Sequence, residues 1–285
     1  MKQWLDWPSY RRLGALLRSP HGGAAEVGAL AATDLADFIE AVVRFAPECY
    51  PDAVEQVAAE IVRRQPALAP LVALANAALL AIDEGPGNAA AEARGFQKRL
   101  AASVEILSTV GAALIPEGGA VLTSGASSSV RAALIAARDK GIRTICVTSP
   151  IPDEARRMAA DLSGAGIPVE IVGDSQVPDT LYAVDVVLVG AHALGPEAAI
   201  NVAGTGVLAK EASNVGARVL VLASADKVLP AALFDRAAAA AAASAALEVV
   251  RLPAFDSVVT ELGVLDLEGV RRLAEGHRVA EGLQA

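Results

Sequence analysis

The chain has 285 residues, about twice the roughly 150 of a usual domain, and 54% of them are apolar against 20% charged. That balance excludes a disordered chain, which could not bury enough apolar surface to offset its ordering entropy. A formal charge of −9 and a pI near 4.9 argue against a nucleic-acid binder, which carries a basic face to neutralise phosphates.

The amino terminus, Met1 to Pro8, has no apolar core of the secretory kind, so no signal peptide is expected. Ala24 to Phe45 places Val27, Leu30, Leu35, Phe38, Ile39 and Val42 at three- and four-residue spacing, which predicts an amphipathic helix. Pro51 to Arg64 predicts a second, around Val54, Val57 and Ile61. Ala67 to Ile82 is apolar nearly all round, hence buried on most sides, yet shorter than the roughly 20 apolar residues that span a bilayer. No membrane association is expected. Gly85-Pro86-Gly87 breaks it, and Ala89 to Ala113 predicts a further long helix, ended by Pro116-Glu117-Gly118-Gly119.

The pattern then changes. Short apolar strands at Ala120–Thr123, Arg143–Thr148, Val169–Val172, Asp185–Val189 and Arg218–Ala223 alternate with helices at Val130–Lys140, Asp153–Ser163 and Gly206–Asn214. Apolar runs alternating with helices mark a parallel sheet covered on both faces. The expected fold is α/β, with a helical domain over residues 1–117 and a Rossmann-like domain over 118–285. Arg236–Glu248, almost pure alanine, reads as an exposed or interfacial helix. Ala254–Leu283 reads as a short apolar segment, a turn and a final helix.

In an open parallel sheet, ligands bind at the carboxyl ends of the strands. After the first strand, Ser124-Gly125-Ala126-Ser127 offers backbone N–H groups and a helix start suited to an anion or polar ligand, although a Ser N-cap alone explains it equally. After the fourth strand stands His192, either a general acid or base or a hydrogen-bonded structural histidine. His277 reads as a surface residue of the last helix. His21, before Gly22-Gly23, reads as a turn residue more readily than as a ligand. Asp174 and Asp226-Lys227 also follow strands, as sugar-binding or acid–base groups or as plain helix caps. Gly204-x-Gly206 mimics a dinucleotide fingerprint but lacks a strand ending at its first glycine. A turn presenting Asn201, Gly204 and Thr205 to a ligand is the better reading. Two distant cysteines, Cys49 and Cys146, form no disulfide framework and read as buried free thiols in a reducing cytoplasm. No Cys/His cluster has metal spacing, and no cofactor or metal is expected.

Several segments are similar, in order, to those of one superfamily: methylthioribose-1-phosphate isomerase, ribose-1,5-bisphosphate isomerase and the alpha, beta and delta subunits of translation initiation factor 2B. Gln65–Leu71 resembles its Arg-Pro-Ser-Met-Ala-Pro segment, and Ala120–Val130 its first strand and loop. Gly166–Val169 with Asp174-Ser175 resembles "GIPV…DS", and Val187–His192 resembles "VLVGAD". Asn201–Thr205 resembles "NKxGT", and Val259–Leu265 resembles "ITEEGVL". The resemblance implies a helical domain followed by a Rossmann-like one, and a homodimer joined through the second.

It also implies departures. The isomerases' proton-moving cysteine falls at Gly125 and their aspartate at His192. Their phosphate-holding arginines fall at or near Gly22, Gln65 and Ile151, and the lysine of "NKxGT" at Val202. Each arginine–phosphate contact is worth roughly 1.5–3 kcal/mol, and Arg156 or Arg157 on the next helix is the available substitute. The expected function is a cytoplasmic, enzyme-like protein acting on or binding a small polar, sugar- or nucleoside-like metabolite. His192, Asp174 and Asp226 would be its catalytic groups, and Ser124, Gly125, Ala126, Ser127, Asn201, Gly204, Thr205 and Lys227 its binding groups. The alternative is a non-catalytic, ligand-sensing subunit of the initiation-factor type.

Overall fold

A computed structural model of the chain describes residues 3–20, 22–151 and 153–284. His21, considered above for a ligand role, lies outside the described residues. Among the described residues, five α-helices come before the first strand: α1 (Pro8–Arg18), α2 (Ala24–Phe45), α3 (Asp52–Arg64), α4 (Ala69–Leu80) and α5 (Pro86–Ala113). The start of α2 is fixed by Glu26, whose carboxylate accepts from the Gly23 backbone N–H at 3.2 Å. Its apolar stripe of Val27, Leu35, Phe38, Ile39 and Val42 is buried, as its spacing predicts. Leu30 shares that spacing but stands exposed. Helix α4 buries Leu71, Leu74, Ala75 and Ala78.

The second part runs β1 (Ala120–Ser124), α6 (Ser128–Ala136), β2 (Arg143–Val147), α7 (Glu154–Gly164), β3 (Val169–Val172), α8 (Val177–Leu181), β4 (Val186–Val189), β5 (Ala193–Leu194) and β6 (Ala198–Val202). It continues with α9 (Thr205–Asn214), β7 (Arg218–Leu222), α10 (Ala231–Ala242), β8 (Leu247–Arg251), β9 (Ser257–Thr260), β10 (Gly263–Leu265) and α11 (Leu267–Glu275). The main sheet has the order β10-β9-β7-β4-β1-β2-β3, parallel except for β10. Successive side chains on a strand point to opposite faces. Leu122, Ile145, Val187, Val189, Val219 and Val221 therefore share one core with residues of α8, α9 and α11. Their neighbours Val121, Cys146, Val186, Leu188, Leu220 and Leu222 share the other with α5, α6 and α7. From β1 the chain moves outward to β2 and β3, then returns to β4 on the other side. The crevice between β1 and β4 is the topological switch point, where doubly wound sheets take ligands.

Three features differ from the sequence expectation. The alanine-rich helix lies at Ala231–Ala242, and one of its faces is buried: Leu233, Phe234, Ala237 and Ala241 complete the core of the α2–α5 helices. Phe234 lies where Gly195 has no side chain. Leu247 and Glu248 belong to β8, which pairs with β6 in a separate antiparallel sheet, β5-β6-β8. Third, the apolar segment after Ala254 is a parallel strand, β9, docked on β7. Cys146 is buried, its thiol pushed up to about 12 by burial, whereas Cys49 is only partly buried. Among the described residues no helix is long and apolar enough to cross a membrane.

Candidate functional site

The switch point is built from two loops in close contact. β1 ends at Ser124, and Gly125 turns the chain with φ 80°, a left-handed conformation that glycine adopts at little cost. Ser127 then caps α6, its Oγ accepting from Val130 N–H at 3.4 Å. β4 ends at Val189, and a Cβ on Gly190 would lie 2.6 Å from the Cβ and Oγ of Ser127. Only glycine lets the loops approach this closely. Beyond them the chain enters β5 through His192, whose N–H donates to Ile200 O at 2.8 Å and whose carbonyl accepts from Ala69 N–H at 3.0 Å. The start of α4 is thereby pinned to the site.

The hollow between these loops has a volume of about 30 Å³ and is walled by Gly125, Glu154, His192, Asn201 and Lys227, with Gly22 and Gly23 also lining it. That is room for one or two waters. Lys227 is buried, and its Nζ donates to Ala191 O at 2.8 Å; burial pulls its ammonium down to about 8. Burial also pulls the imidazole of His192 down to about 4, with the neighbouring Lys227 cation adding to the effect. The ring is therefore neutral at pH 7 and has no hydrogen-bond partner among the described residues. Glu154, at the start of α7, is buried, which raises its carboxyl; the Ser149 hydroxyl, donating to Oε2 at 3.1 Å, partly offsets this. Asn201 Nδ2 donates to Thr205 Oγ1 at 3.2 Å, and Thr205 Oγ1 donates to Val202 O at 2.7 Å.

A larger vestibule of about 410 Å³ shares the wall formed by Gly22, Gly23, Ala126 and Ser127. Arg131 and Arg157 also line it. Arg131 is held by Glu26 of α2 and Asp161 of α7, both at 2.7 Å. Arg157 is exposed and has no ion pair among the described residues, whereas Arg156 pairs with Asp153 at 2.9 Å and lines neither space.

The structure thus gathers Ser124, Gly125, Ala126, Ser127, His192, Asn201 and Lys227 around one hollow. It does not bring the two aspartates there. Asp174 is exposed in a turn after β3, at the outer edge of the sheet. Asp226 lies on the same turn as Lys227, but its side chain lines a different pocket. Gly204 and Thr205 stand behind Asn201 and do not line the hollow, because Asn201 belongs to strand β6 instead of a turn. The glycine pair at the start of α9 follows an antiparallel strand, and Gly206 N–H donates to Glu248 at 2.7 Å, so the Glu248 carboxylate lies at this helix start. Glu154 and Gly190 were not singled out by sequence reasoning. An acidic residue at a helix start is ordinary, and only the loop after β2 being folded inward distinguishes Glu154. Among the described residues no group of three His, Cys, Asp or Glu could hold a metal ion.

A doubly wound sheet joined to a helical layer is shared with known proteins. The model of the Initiation factor 2 subunit family matches residues 26–265, and the chain belongs to that family. A Pyrococcus horikoshii protein named for its likeness to subunit 2 of translation initiation factor eIF-2B is 27% identical over 161 residues, 55% of this chain and 58% of that one. The chain therefore spans little more than half the length of this relative. The crystal structure of translation initiation factor eIF-2B from Pyrococcus horikoshii OT3 superposes with a TM-score of 0.77 at 21% identity, covering 92% of this chain and 98% of that one. That of 5-methylthioribose 1-phosphate isomerase from the same organism gives 0.70 at 18% identity, covering 94% and 88%. At these identities the two structures show a common fold.

Proposed function

We propose that this chain is a non-catalytic, ligand-sensing member of the family, binding a small phosphorylated polyol at the switch point without isomerising it. One observation carries the reading: the exposed guanidinium of Arg157, with no ion pair among the described residues, and the start of α6 line a vestibule of about 410 Å³, while the hollow behind it, which holds Lys227, admits only water. The vestibule is the size of small-metabolite pockets, about 300–1,000 Å³. Helix starts and guanidinium groups favour phosphate, and Ser127 and Ser128, which line the vestibule, are polar groups for hydroxyls. By the resemblance, Gly125 stands where the isomerases have their thiol, and His192 where they have their carboxyl group. An imidazole neutral at pH 7 supplies no strong acid.

The test is calorimetric titration and thermal unfolding of the full chain with ribose, ribose 5-phosphate and nucleoside monophosphates, with NMR on the same mixtures. The expected result is saturable stabilisation by phosphorylated ligands, weakened tenfold or more by Arg157→Ala, with no new sugar signals. Absence of any phosphate-dependent binding overturns the reading, and so does turnover.

A second reading, a diverged enzyme, is favoured by the unpartnered His192 ring beside an amine whose proton affinity is drawn down to about 8. If NMR finds a product, His192→Ala must abolish it while leaving the fold intact. Either reading is proposed for a cytoplasmic homodimer with a helical part over residues 1–117 and an α/β part over 118–285. Exposed Leu262, Val264 and Leu267 at the β10 edge support the pairing, and sedimentation measures it.

A further inference from the structure

A second pocket lies on the far side of the turn that carries Lys227. Its volume is about 410 Å³, and it sits between α4, α5, the start of α10 and the segment after α11. Its floor is apolar, formed by Leu80, Phe96, Leu229 and Leu233. Asp226 enters it partly buried, and its carboxylate has no hydrogen-bond or ion-pair partner among the described residues. Burial raises this carboxyl to about 6, while the nearby guanidinium of Arg99 draws it down. Arg99 lines the same pocket. It donates to Glu92 at 2.6 Å and lies 5.4 Å from the Phe96 ring centroid, but it makes no ion pair with Asp226. His277, beyond the end of α11, and Arg278 also line the pocket, and the Asn76 side chain holds this segment through Arg278 O and Ala280 N, both at 2.8 Å. His277 is exposed, as expected, but it lies beyond the end of α11, at the rim of this pocket, and not within the last helix.

An anionic and a cationic group that lie near each other without pairing, above an apolar floor, match a molecule whose ammonium and carboxylate are borne by one carbon that also carries an apolar tail. We propose that this pocket binds a free α-amino acid with an apolar side chain. The ammonium would lie on Asp226, the carboxylate on Arg99, and the side chain against Phe96 and Leu233. An apolar wall with a few converging polar groups is the usual build of such sites. The pocket shares no described lining residue with the switch-point hollow or its vestibule, so this inference does not rest on the function proposed above.

The experiment is calorimetric titration of the full chain with L-leucine and L-phenylalanine. Isoamylamine, which lacks the carboxylate, and 4-methylpentanoate, which lacks the ammonium, serve as half-ligands. Expected are saturable binding of the amino acids, at least tenfold weaker binding of both half-ligands, and a tenfold or greater loss of leucine affinity in Asp226→Asn and in Arg99→Gln. Both variants should keep the parent's circular dichroism and its response to ribose 5-phosphate. No amino-acid binding, binding untouched by both variants, or a half-ligand binding as well as leucine overturns the proposal. A parent chain that binds leucine but shows no response to ribose 5-phosphate speaks against the switch-point reading and leaves this one standing.

Discussion

His192 is kept neutral by its surroundings, and that has a measurable cost in acid. Its folded pKa lies near 4 against an ordinary 6.5. Between those values the unfolded chain binds a proton that the folded chain refuses, so stability falls as pH drops through this window. The loss reaches up to about 3 kcal/mol. Asp226 works the other way: its carboxyl is raised to about 6, so the folded state holds a proton the unfolded one has lost, and stability rises as pH falls from 6 toward 3.8. In an Asp226→Asn background, His192→Gln is therefore expected to flatten the stability profile between pH 4 and 6.5, as measured by urea unfolding. Gly190 gives a second expectation. An added Cβ would meet Ser127 at 2.6 Å, and overpacking of this kind costs about 1–3 kcal/mol. Gly190→Ala should lower the urea midpoint accordingly, and adding Ser127→Gly should restore part of it. The legibility of the site divides at this scale. Ser124 to Ser127 and His192 were legible because each directly follows an apolar strand, and strand ends gather in a parallel sheet. Asp174 and Asp226 also follow strands, yet they turn elsewhere: strand ends predict where a backbone goes, and not which way a side chain on the ensuing turn faces.

Among the elements, α10 shows best what periodicity cannot say. A run of alanines predicts a helix but no direction, because every face is equally small. Its orientation is set by Leu233 and Phe234, buried with Ala237 and Ala241 in the core of the α2–α5 helices. Phe234→Ala should cost about 3–5 kcal/mol, as expected for a buried aromatic. Val207→Ala, on an exposed face of α9, should change stability by less than about 0.5 kcal/mol; chemical denaturation compares the two. The five strands β1, β2, β3, β4 and β7 were legible as apolar runs bounded by turns. β6 and β8 were not. β6 was hidden in a loop-like Asn-Val-Ala-Gly-Thr stretch, and β8 in the end of an alanine helix. Each strand is stabilised by its partner, Ala198 to Val202 against Leu247 to Arg251, and a pairing across more than forty residues leaves no local trace.

At the scale of the whole molecule, the helical and α/β parts do not have separate cores. Ala193, Ile200, Leu229, Leu233, Phe234 and Ala237 from the second part are buried together with Leu35, Phe38 and Leu74 from the first. Heating should therefore give one cooperative calorimetric transition instead of two. A fragment of residues 1–117 should lack stable tertiary structure, with weak near-ultraviolet dichroism, because the face covered by α10 would be bare. Two resolved transitions, or a well-folded fragment, would count against this account of the interface.

The Arg131 guanidinium ties α2 to α7 across the mouth of the vestibule through Glu26 and Asp161, and all three side chains are more than a third exposed. Contacts of this kind contribute about 0–1 kcal/mol each and weaken as the Debye length shrinks from about 8 Å at physiological ionic strength to 3 Å at 1 M. The apolar layers beneath feel no such screening. Concentrated sodium chloride should therefore quicken amide exchange at Gly22 to Ala25 before it touches the strands, making ionic strength a means of opening the entrance without melting the protein.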